Sequence, residues 1–241
     1  SEKTAILNFV SSGGGLFMVA DHETSDRDCD NWDSPHIFND LTQAVSTTQT
    51  GLFGIWFRVN EISDKGGEDW FDDATDSNVE TDPNDPIICG PFGSGSGGLG
   101  LFGATSMDVN PSDNPYVKAH VWRTGQSHNN LRVTFATSQY GNGRIAAIGD
   151  SSPADDGTGD SGDTLYDGWD KASGGVNNKE IFMNATYFLL NPAPDTTPPS
   201  ITEGPSSQVK DCSAAVSWKT DEAANSIVEY GLTDSYGMSV S

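Results

Sequence analysis

Apolar positions at the start of the chain change from a helical to a strand period. Residues 2–11 carry apolar side chains at helical spacing, and Ser1 stands where it can cap such a helix. Glycines 13 to 15 end the helical pattern. Residues 16–20 form an unbroken apolar run of strand length, typical of a strand buried on both faces. The sequence therefore predicts a helix followed by a buried strand.

Two further segments, residues 37–45 and 178–190, show the amphipathic period of helices. Each has apolar residues three and four positions apart, so one face of each should pack inward. The expected inward positions are Ile37, Phe38, Leu41 and Val45 in the first segment and Ile181, Phe182, Ala185, Phe188 and Leu189 in the second.

The middle of the chain predicts three strands. Residues 117–122 and 131–137 have strand composition, and residues 140–143 contain the Asn-Gly dipeptide favoured in hairpins. Residues 144–149 form a second buried apolar run, which ends at Asp150. With the preceding elements, this pattern predicts an α/β domain.

The composition changes near the C-terminal end. Residues 191–199 are a Pro-rich linker, typical of a stiff, solvated spacer. Residues 214–218 and 226–230 then alternate apolar and polar positions, as strands of a β-sandwich do. We therefore divide the chain into an α/β domain over residues 1–190 and a second, all-β module over residues 200–241.

Charge narrows the classes of partner. The chain of 241 residues has 35 Asp and Glu against 12 Lys and Arg, a formal net charge of −23. Binding to nucleic acid needs a basic surface, so no nucleic-acid partner is expected. No apolar run approaches the ~18–20 residues of a membrane span. The chain has an aromatic content of 10%, which provides the core material that a disordered acidic tail lacks.

Cysteine usage and composition bear on location. Cys29, Cys89 and Cys212 allow one intrachain disulfide at most and leave one thiol over, and no pairing follows from their spacing. The acidity and the frequent Gly, Asn, Ser and Thr residues are typical of extracellular proteins, and the acidity also suits a calcium-rich or saline medium, where cations reduce self-repulsion. We expect an extracellular or cell-surface location.

Polar residues follow both buried strands. Asp21 and His22 come after the first run, and Asp150 and Ser152 come after the later one. Ligands of open α/β sheets bind at the C-terminal edge of the strands, and carboxylates with an imidazole there can hold a divalent metal that activates water. The alternative is that the two aspartates cap neighbouring loop amides.

Two acidic loops have the alternating oxygen ligands of calcium sites. The first lacks the Gly and Glu of an EF-hand, since Asn31 and Ile37 stand at those positions. A looser calcium site remains an expectation, and a plain solvated loop is the alternative. The candidate calcium ligands are Asp26, Asp28, Asp30 and Asp33 in the first loop and Asp155, Asp156, Asp160 and Asp163 in the second.

Several aromatic and imidazole side chains have no clear assignment. His120 and His128 have no partner that the sequence identifies. Tryptophans can line a carbohydrate site, although core packing is the more general role. The tryptophans considered for a carbohydrate site are Trp32, Trp56, Trp70, Trp122 and Trp169.

The segments AILNFVSSGGGLFMVADH and YGNGRIAAIGDSSP resemble class I glutamine-amidotransferase-like domains of the trehalose-utilisation-like branch. The resemblance implies a flavodoxin-like sheet. In an active member the first strand ends at a nucleophilic Cys and the second at a His followed by an acid. Here Asp21 and His22 stand at the first place and Asp150 to Ser152 at the second, so we expect no glutaminase activity.

The segments TPPSITEGP and AAVSWKTDEAANSIVEYGLTDSYG resemble a fibronectin type III module of the kind that precedes the catalytic domain of purple acid phosphatases. Trp218 and Tyr230 would be its core anchors. Such a sandwich has about seven strands in ~100 residues. Residues 200–241 supply only part of it, and the α/β domain also lacks its first strands. We expect flanking segments or neighbouring subunits to complete both.

Two functions remain open. The first is a secreted, calcium-binding, multidomain surface or assembly protein, part of a fibre or matrix. The second is an extracellular metal-dependent hydrolase that acts on a phosphoester or glycan through Asp21, His22 and Asp150, with the metal other than calcium. The acidity, the fibronectin-like module and the missing amidotransferase residues favour the first.

Overall fold

The computed structural model divides into two compact units, Ser1–Ala193 and Pro194–Ser241. Most of the proposed linker, residues 192–198, lies outside the described part of the chain. The structure describes residues 1–22, 29–59, 70–71, 78–101, 103–156, 168–169, 176–191, 199–210, 213–221, 226–233 and 235–240.

The first unit contains three α-helices and eight strands in its described residues. Ser1 caps the first helix, and its Oγ accepts a hydrogen bond from the Thr4 N–H at 3.4 Å. The elements are α1 (Glu2–Ser11), β1 (Gly15–Val19), α2 (Ser34–Thr42), β2 (Ile55–Phe57), β3 (Trp70–Phe71), β4 (Gly100–Leu101), β5 (Met107–Val109), β6 (Lys118–Trp122), β7 (Val133–Tyr140), β8 (Gly143–Ile148) and α3 (Asn178–Leu190).

The main sheet of this unit is mixed. Its order is β1–β8–β7–β5–β2, with β6 also paired to β7. β1 and β8 run parallel, whereas the remaining pairs of this sheet are antiparallel. The hairpin predicted at residues 140–143 joins β7 to β8, where Tyr140 pairs with Gly143. The expected α/β class is confirmed.

Side chains on the two faces of the sheet form separate apolar cores. Met18 and Ala147 belong to the core that includes Val10 of α1. Phe135 and Ile148 belong to the core that includes α3. The inward face predicted for α3 is confirmed, because Ile181, Phe182 and Ala185 are buried and Phe188 and Leu189 pack against the same core.

The inward face predicted for the second helix is wrong at two positions. Ile37 is 50% exposed and Val45 is 68% exposed. The helix starts three residues earlier than expected and ends at Thr42, after which Gln43 takes a left-handed conformation that leaves Val45 outside the helix. Asn39 occupies the inner face, because its side chain bonds the backbone of Phe57.

The second unit consists of two antiparallel ribbons. Strands β9 (Ile201–Lys210) and β10 (Ser213–Thr220) form one, and β11 (Val228–Tyr230) and β12 (Met238–Val240) form the other. None of the helices in the described part of the chain has the length and apolar content needed to cross a bilayer.

Candidate functional sites

Parallel pairing of β1 with β8 brings the predicted strand-end residues to one edge of the sheet. Val19 is aligned with Ile148, and the Ala20 N–H donates to the Ile148 carbonyl at 2.9 Å. Asp21 and Asp150 therefore follow adjacent strands at the same edge. The segment that includes Thr105 also reaches this edge, since its N–H donates to the Gly149 carbonyl at 2.9 Å.

Asp21 and His22 are partly exposed at this edge. The Asp21 N–H donates to Ser34 Oγ at 2.8 Å, which connects the edge to the start of α2. Asp21 Oδ1 accepts from the His22 N–H at 2.7 Å and lies 3.7 Å from His22 Nε2. The imidazole packs closely against Gly103, where a Cβ would lie 3.1 Å from His22 Cδ2. Asp21 thus fixes the backbone of His22, and its carboxylate lies near the His22 ring.

Asp150 is more enclosed, with only 1% of its surface exposed. Its Oδ1 accepts from the Ser152 N–H and from Ser152 Oγ, each at 3.0 Å. Such bonds hold a tight turn after the strand. The edge brings the four predicted residues to neighbouring strand ends, and both carboxylates hold local backbone there. Their catalytic role stays a prediction.

Four of the predicted calcium ligands lie outside the described residues: Asp26, Asp28, Asp160 and Asp163. Asp33 is buried and caps α2, accepting from the His36 N–H at 3.3 Å and bonding His36 Nδ1 at 2.8 Å. Asp30 accepts from the Trp32 N–H at 2.7 Å. Asp155 and Asp156 follow the turn after β8. Within the described ranges, no group of three or more His, Cys, Asp or Glu side chains has metal-binding geometry.

A buried hydrogen-bonded chain, which sequence reasoning did not find, lies beside β6 and β7. His120 Nδ1 is 2.8 Å from Asp85 Oδ2, and His120 Nε2 is 2.7 Å from Thr137 Oγ1. The ladder between β6 and β7 is irregular at His120, and such bulges redirect side chains. Asp85 Oδ1 also accepts from the N–H groups of Ile87 and Ile88, each at 2.9 Å. No sequence spacing indicates this grouping.

The surroundings of Asp85 in this hydrogen-bonded group favour its ionised carboxylate. Burial alone would raise the pKa of Asp85, but the hydrogen bond and electrostatic interaction with His120, the Ile88 N–H and Lys118 together hold that pKa well below its usual range. Burial would likewise lower the pKa of Lys118, but its bond to Asp85 at 2.9 Å and the charges of Glu80 and Asp82 raise it.

Asp85, His120 and Thr137 follow the order of an acid–base–hydroxyl triad. A nucleophile, however, needs space for a reacting atom about 3 Å away. Thr137 is only 4% exposed and lies inside the sheet. The arrangement therefore fastens the loop around Asp85 to the sheet, and we assign it a structural role.

The tryptophans considered for carbohydrate binding are dispersed. Trp122 stacks on His128 with ring centroids 4.1 Å apart, and its Nε1 donates to the Asn129 carbonyl at 2.6 Å. Trp169 packs against the core that includes α3, whereas Trp32 is half exposed beside His36. Trp56 lies in β2, and the side chain of Trp70 is outside the described residues.

In the second unit, the two ribbons line an apolar cleft of about 520 Å3. β10 contributes Ala214, Val216 and Trp218, and the other ribbon contributes Tyr230 and Val240. Val216 is 40% exposed, Tyr230 48% and Val240 59%. The opposite face of the first ribbon is polar: Ser206 and Ser217 share a hydrogen bond of 3.0 Å. The unit thus leaves its apolar face open in the described residues.

Comparison with protein-family models, with curated proteins and with solved structures finds no match for this chain. The functional argument therefore depends on the geometry of these sites.

Proposed function

We propose that this chain is an acidic, extracellular, calcium-stabilised assembly protein whose second unit makes the contacts that join subunits. The observation that carries this proposal is the open apolar cleft of the second unit. Large apolar side chains that stay exposed on a contiguous face mark an interaction surface. Main-chain pairing at a sheet edge, with side chains in alternate pockets, is a general way to fill such a cleft.

The finer features of the architecture belong to the same proposal. A flavodoxin-like, amidotransferase-like first unit is supported by the parallel β1–β8 pair and by helix packing on both sheet faces. A fibronectin-like second unit is supported by two facing ribbons with apolar inner and polar outer sides. The absence of glutaminase chemistry is supported by Cys29 and Cys89, which lie in exposed loops away from the strand ends.

The proposed calcium role is supported by charge. With a net charge of −23, subunits repel one another until cations screen or bind their carboxylates. Bound calcium would both stabilise the acidic loops and permit assembly. A location outside the cell, where calcium is abundant, follows from this role.

Light scattering on the purified chain tests the assembly role. We expect masses above that of the monomer in calcium or moderate salt, and a monomer for Val216→Asp, which places a charge in the cleft. Ala215→Asp is the matched control, because it adds the same charge on the polar face of the same strand. The proposal fails if both variants give the mass distribution of the unmodified chain.

A second candidate, a metal-dependent hydrolase, is supported by the shared edge of Asp21, His22, Asp150 and Ser152. Its substrate would be a phosphoester or glycan, and its metal would be zinc, iron or manganese. Hydrolysis of p-nitrophenyl phosphate in the presence of each metal, lost in His22→Ala, would support it. The same rate with and without every metal would rule it out for this substrate.

A further inference from the structure

The two strands of the first ribbon, β9 and β10, differ in how well their outer edges could pair with another strand. β9 contains Pro205, which has no N–H to donate and is confined to edge strands. β10 contains neither Pro nor Gly across its eight residues. Among the described residues, β10 pairs only with β9. The second edge of β10 is therefore a suitable site for strand addition.

We propose that this edge binds the same strand of a second copy of the chain, in an antiparallel pair centred on Val216. This inference rests on the proposed assembly function and specifies its partner. The pair would join the β9–β10 ribbons of the two copies into a continuous four-stranded sheet with the order β9–β10–β10–β9. Its contact is isologous, so it closes as a two-fold dimer.

The sequence of β10 is self-complementary in this register. Val216 lies opposite Val216 of the second copy, and Trp218 lies opposite Ala214 of the second copy, so a large side chain meets a small one. Lys219 lies opposite Ser213 of the second copy, so no like charges are apposed within the strand. Cross-strand pairs of this kind stabilise a sheet, and apposed like charges destabilise it.

The apolar side chains of the pair fall on the side that already faces the cleft. Ala214, Val216 and Trp218 line the cleft together, so the same face would extend across both copies. Ser217 and Ala215 occupy the other face, which stays polar and small. A single apolar face thus runs through the joined sheet, as an antiparallel sheet with one buried side requires.

Negative charge on both copies makes the association dependent on ions. Asp221 follows β10 directly, and each copy of the chain has a net charge of −23, so pairing brings like charges together. Repulsion between them falls as salt screens them, with a Debye length of about 10 Å at 0.1 M. The dimer should therefore strengthen as ionic strength rises.

Cysteine cross-linking tests the register. In a background without the native cysteines (Cys29→Ser, Cys89→Ser, Cys212→Ser), Val216→Cys places two thiols across the two-fold axis. Directly opposed Cβ atoms lie about 4.5–5.5 Å apart, near the span of a disulfide. Lys219→Cys is the control, because six residues separate it from its counterpart, about 20 Å along the strand. After mild oxidation, we expect a reducible dimer for the first variant and a monomer for the second.

Sedimentation velocity over a range of sodium chloride concentrations gives the second readout. The expected result is a dimer that increases with salt and is lost in Val240→Asp. A dimer that Val240→Asp abolishes, but that Val216→Cys does not link, overturns the β10 pairing and leaves the assembly function standing. Equal cross-linking of both cysteine variants, or a monomer at every salt concentration, overturns the inference outright.

Discussion

Buried asparagines connect the long loops of the first unit to its helices. Asn184 lies in α3 and is fully buried, with Oδ1 accepting from the Phe92 N–H at 2.9 Å. Its Nδ2 donates to the carbonyls of Ile87 and Gly93, at 2.9 and 3.0 Å. Asn178, six residues earlier in α3, holds the backbone of Gly100 in the same manner. The loop between Ile87 and Gly100 thus depends on side chains of one helix.

Asn184→Ala should therefore destabilise the first unit more than its size suggests. Three backbone groups would lose their partner, of which the Ile87 carbonyl is buried, and we expect a loss of about 2–4 kcal/mol in the free energy of unfolding. Urea denaturation followed by circular dichroism measures it. Thr186→Ala is the control, since that exposed hydroxyl bonds only its own helix at the Phe182 carbonyl. Equal losses in the two variants would contradict the assignment.

The same contacts bear on modification. Residues 184–186 match the acceptor pattern for N-linked glycosylation. Because the Asn184 amide is buried and bonded, the folded unit does not present it. The acceptor pattern lies in a segment that the sequence predicts to be helical, which already argues against modification, and the burial of the Asn184 side chain supports the same conclusion.

At the scale of elements, the loop around Asp85 is attached to β6 by two basic side chains. Lys118 and His120 of that strand both reach the Asp85 carboxylate. Since the pKa of Asp85 is lowered on folding, its contribution to stability is complete above the unfolded value of 3.8 and is lost as the pH falls toward the folded value. The pKa of Lys118 is instead raised on folding, so its contribution to stability falls only above pH 10.5.

Asp85→Asn should thus cost about 2–4 kcal/mol at pH 7, where the variant leaves His120 buried without its charged partner. The difference in unfolding free energy between the unmodified chain and the variant should shrink as the pH falls from 4 to 2. Urea midpoints at several pH values measure this difference. A difference that stays constant across that range would contradict an ionised Asp85 carboxylate.

Local patterns predicted the elements better than the site. Helices over residues 2–11 and 178–190 follow directly from apolar spacing and match α1 and α3. The antiparallel strands β5 and β2 could not be anticipated, because each has three residues and its pairing is long-range. The contact of His120 with Asp85 joins residues 35 positions apart through a bulge, which no local pattern encodes.

The sheet edge shared by Asp21 and Asp150 could be predicted from the sequence only in part. Asp21 and Asp150 were predicted to come together because each follows a buried run, and the parallel register of β1 and β8 aligns those runs. The hydrogen bonds of Asp150 to Ser152 depend on turn geometry after the strand, and the sequence offered them only as an alternative.

At the scale of the whole molecule, charge is the dominant property. A net charge of −23 destabilises a compact chain, and ions that bind only the folded state offset that repulsion. We expect calcium to raise the melting temperature through the loops at residues 26–33 and 155–163. The stabilisation would be about 2.7 kcal/mol at a hundredfold excess over the dissociation constant.

Calorimetry with calcium, with magnesium at equal ionic strength and with a chelator separates binding from screening. Magnesium demands stricter octahedral geometry, so its effect should be smaller than that of calcium. Replacing Asp26 and Asp28 by asparagine should reduce the rise in melting temperature that calcium causes. Equal shifts for the two cations would indicate screening and contradict a specific calcium site.

The central claim is that the open face of the second unit is where molecules of this chain meet. Hydrogen exchange followed by mass spectrometry over a range of protein concentrations, in salt that permits association, tests it most directly. The account predicts that amides of β10 (Ser213–Thr220) become protected as concentration rises, that amides of the first unit do not change, and that Val216→Asp abolishes the protection. Exchange in β10 that is independent of concentration while the chain associates would contradict the account.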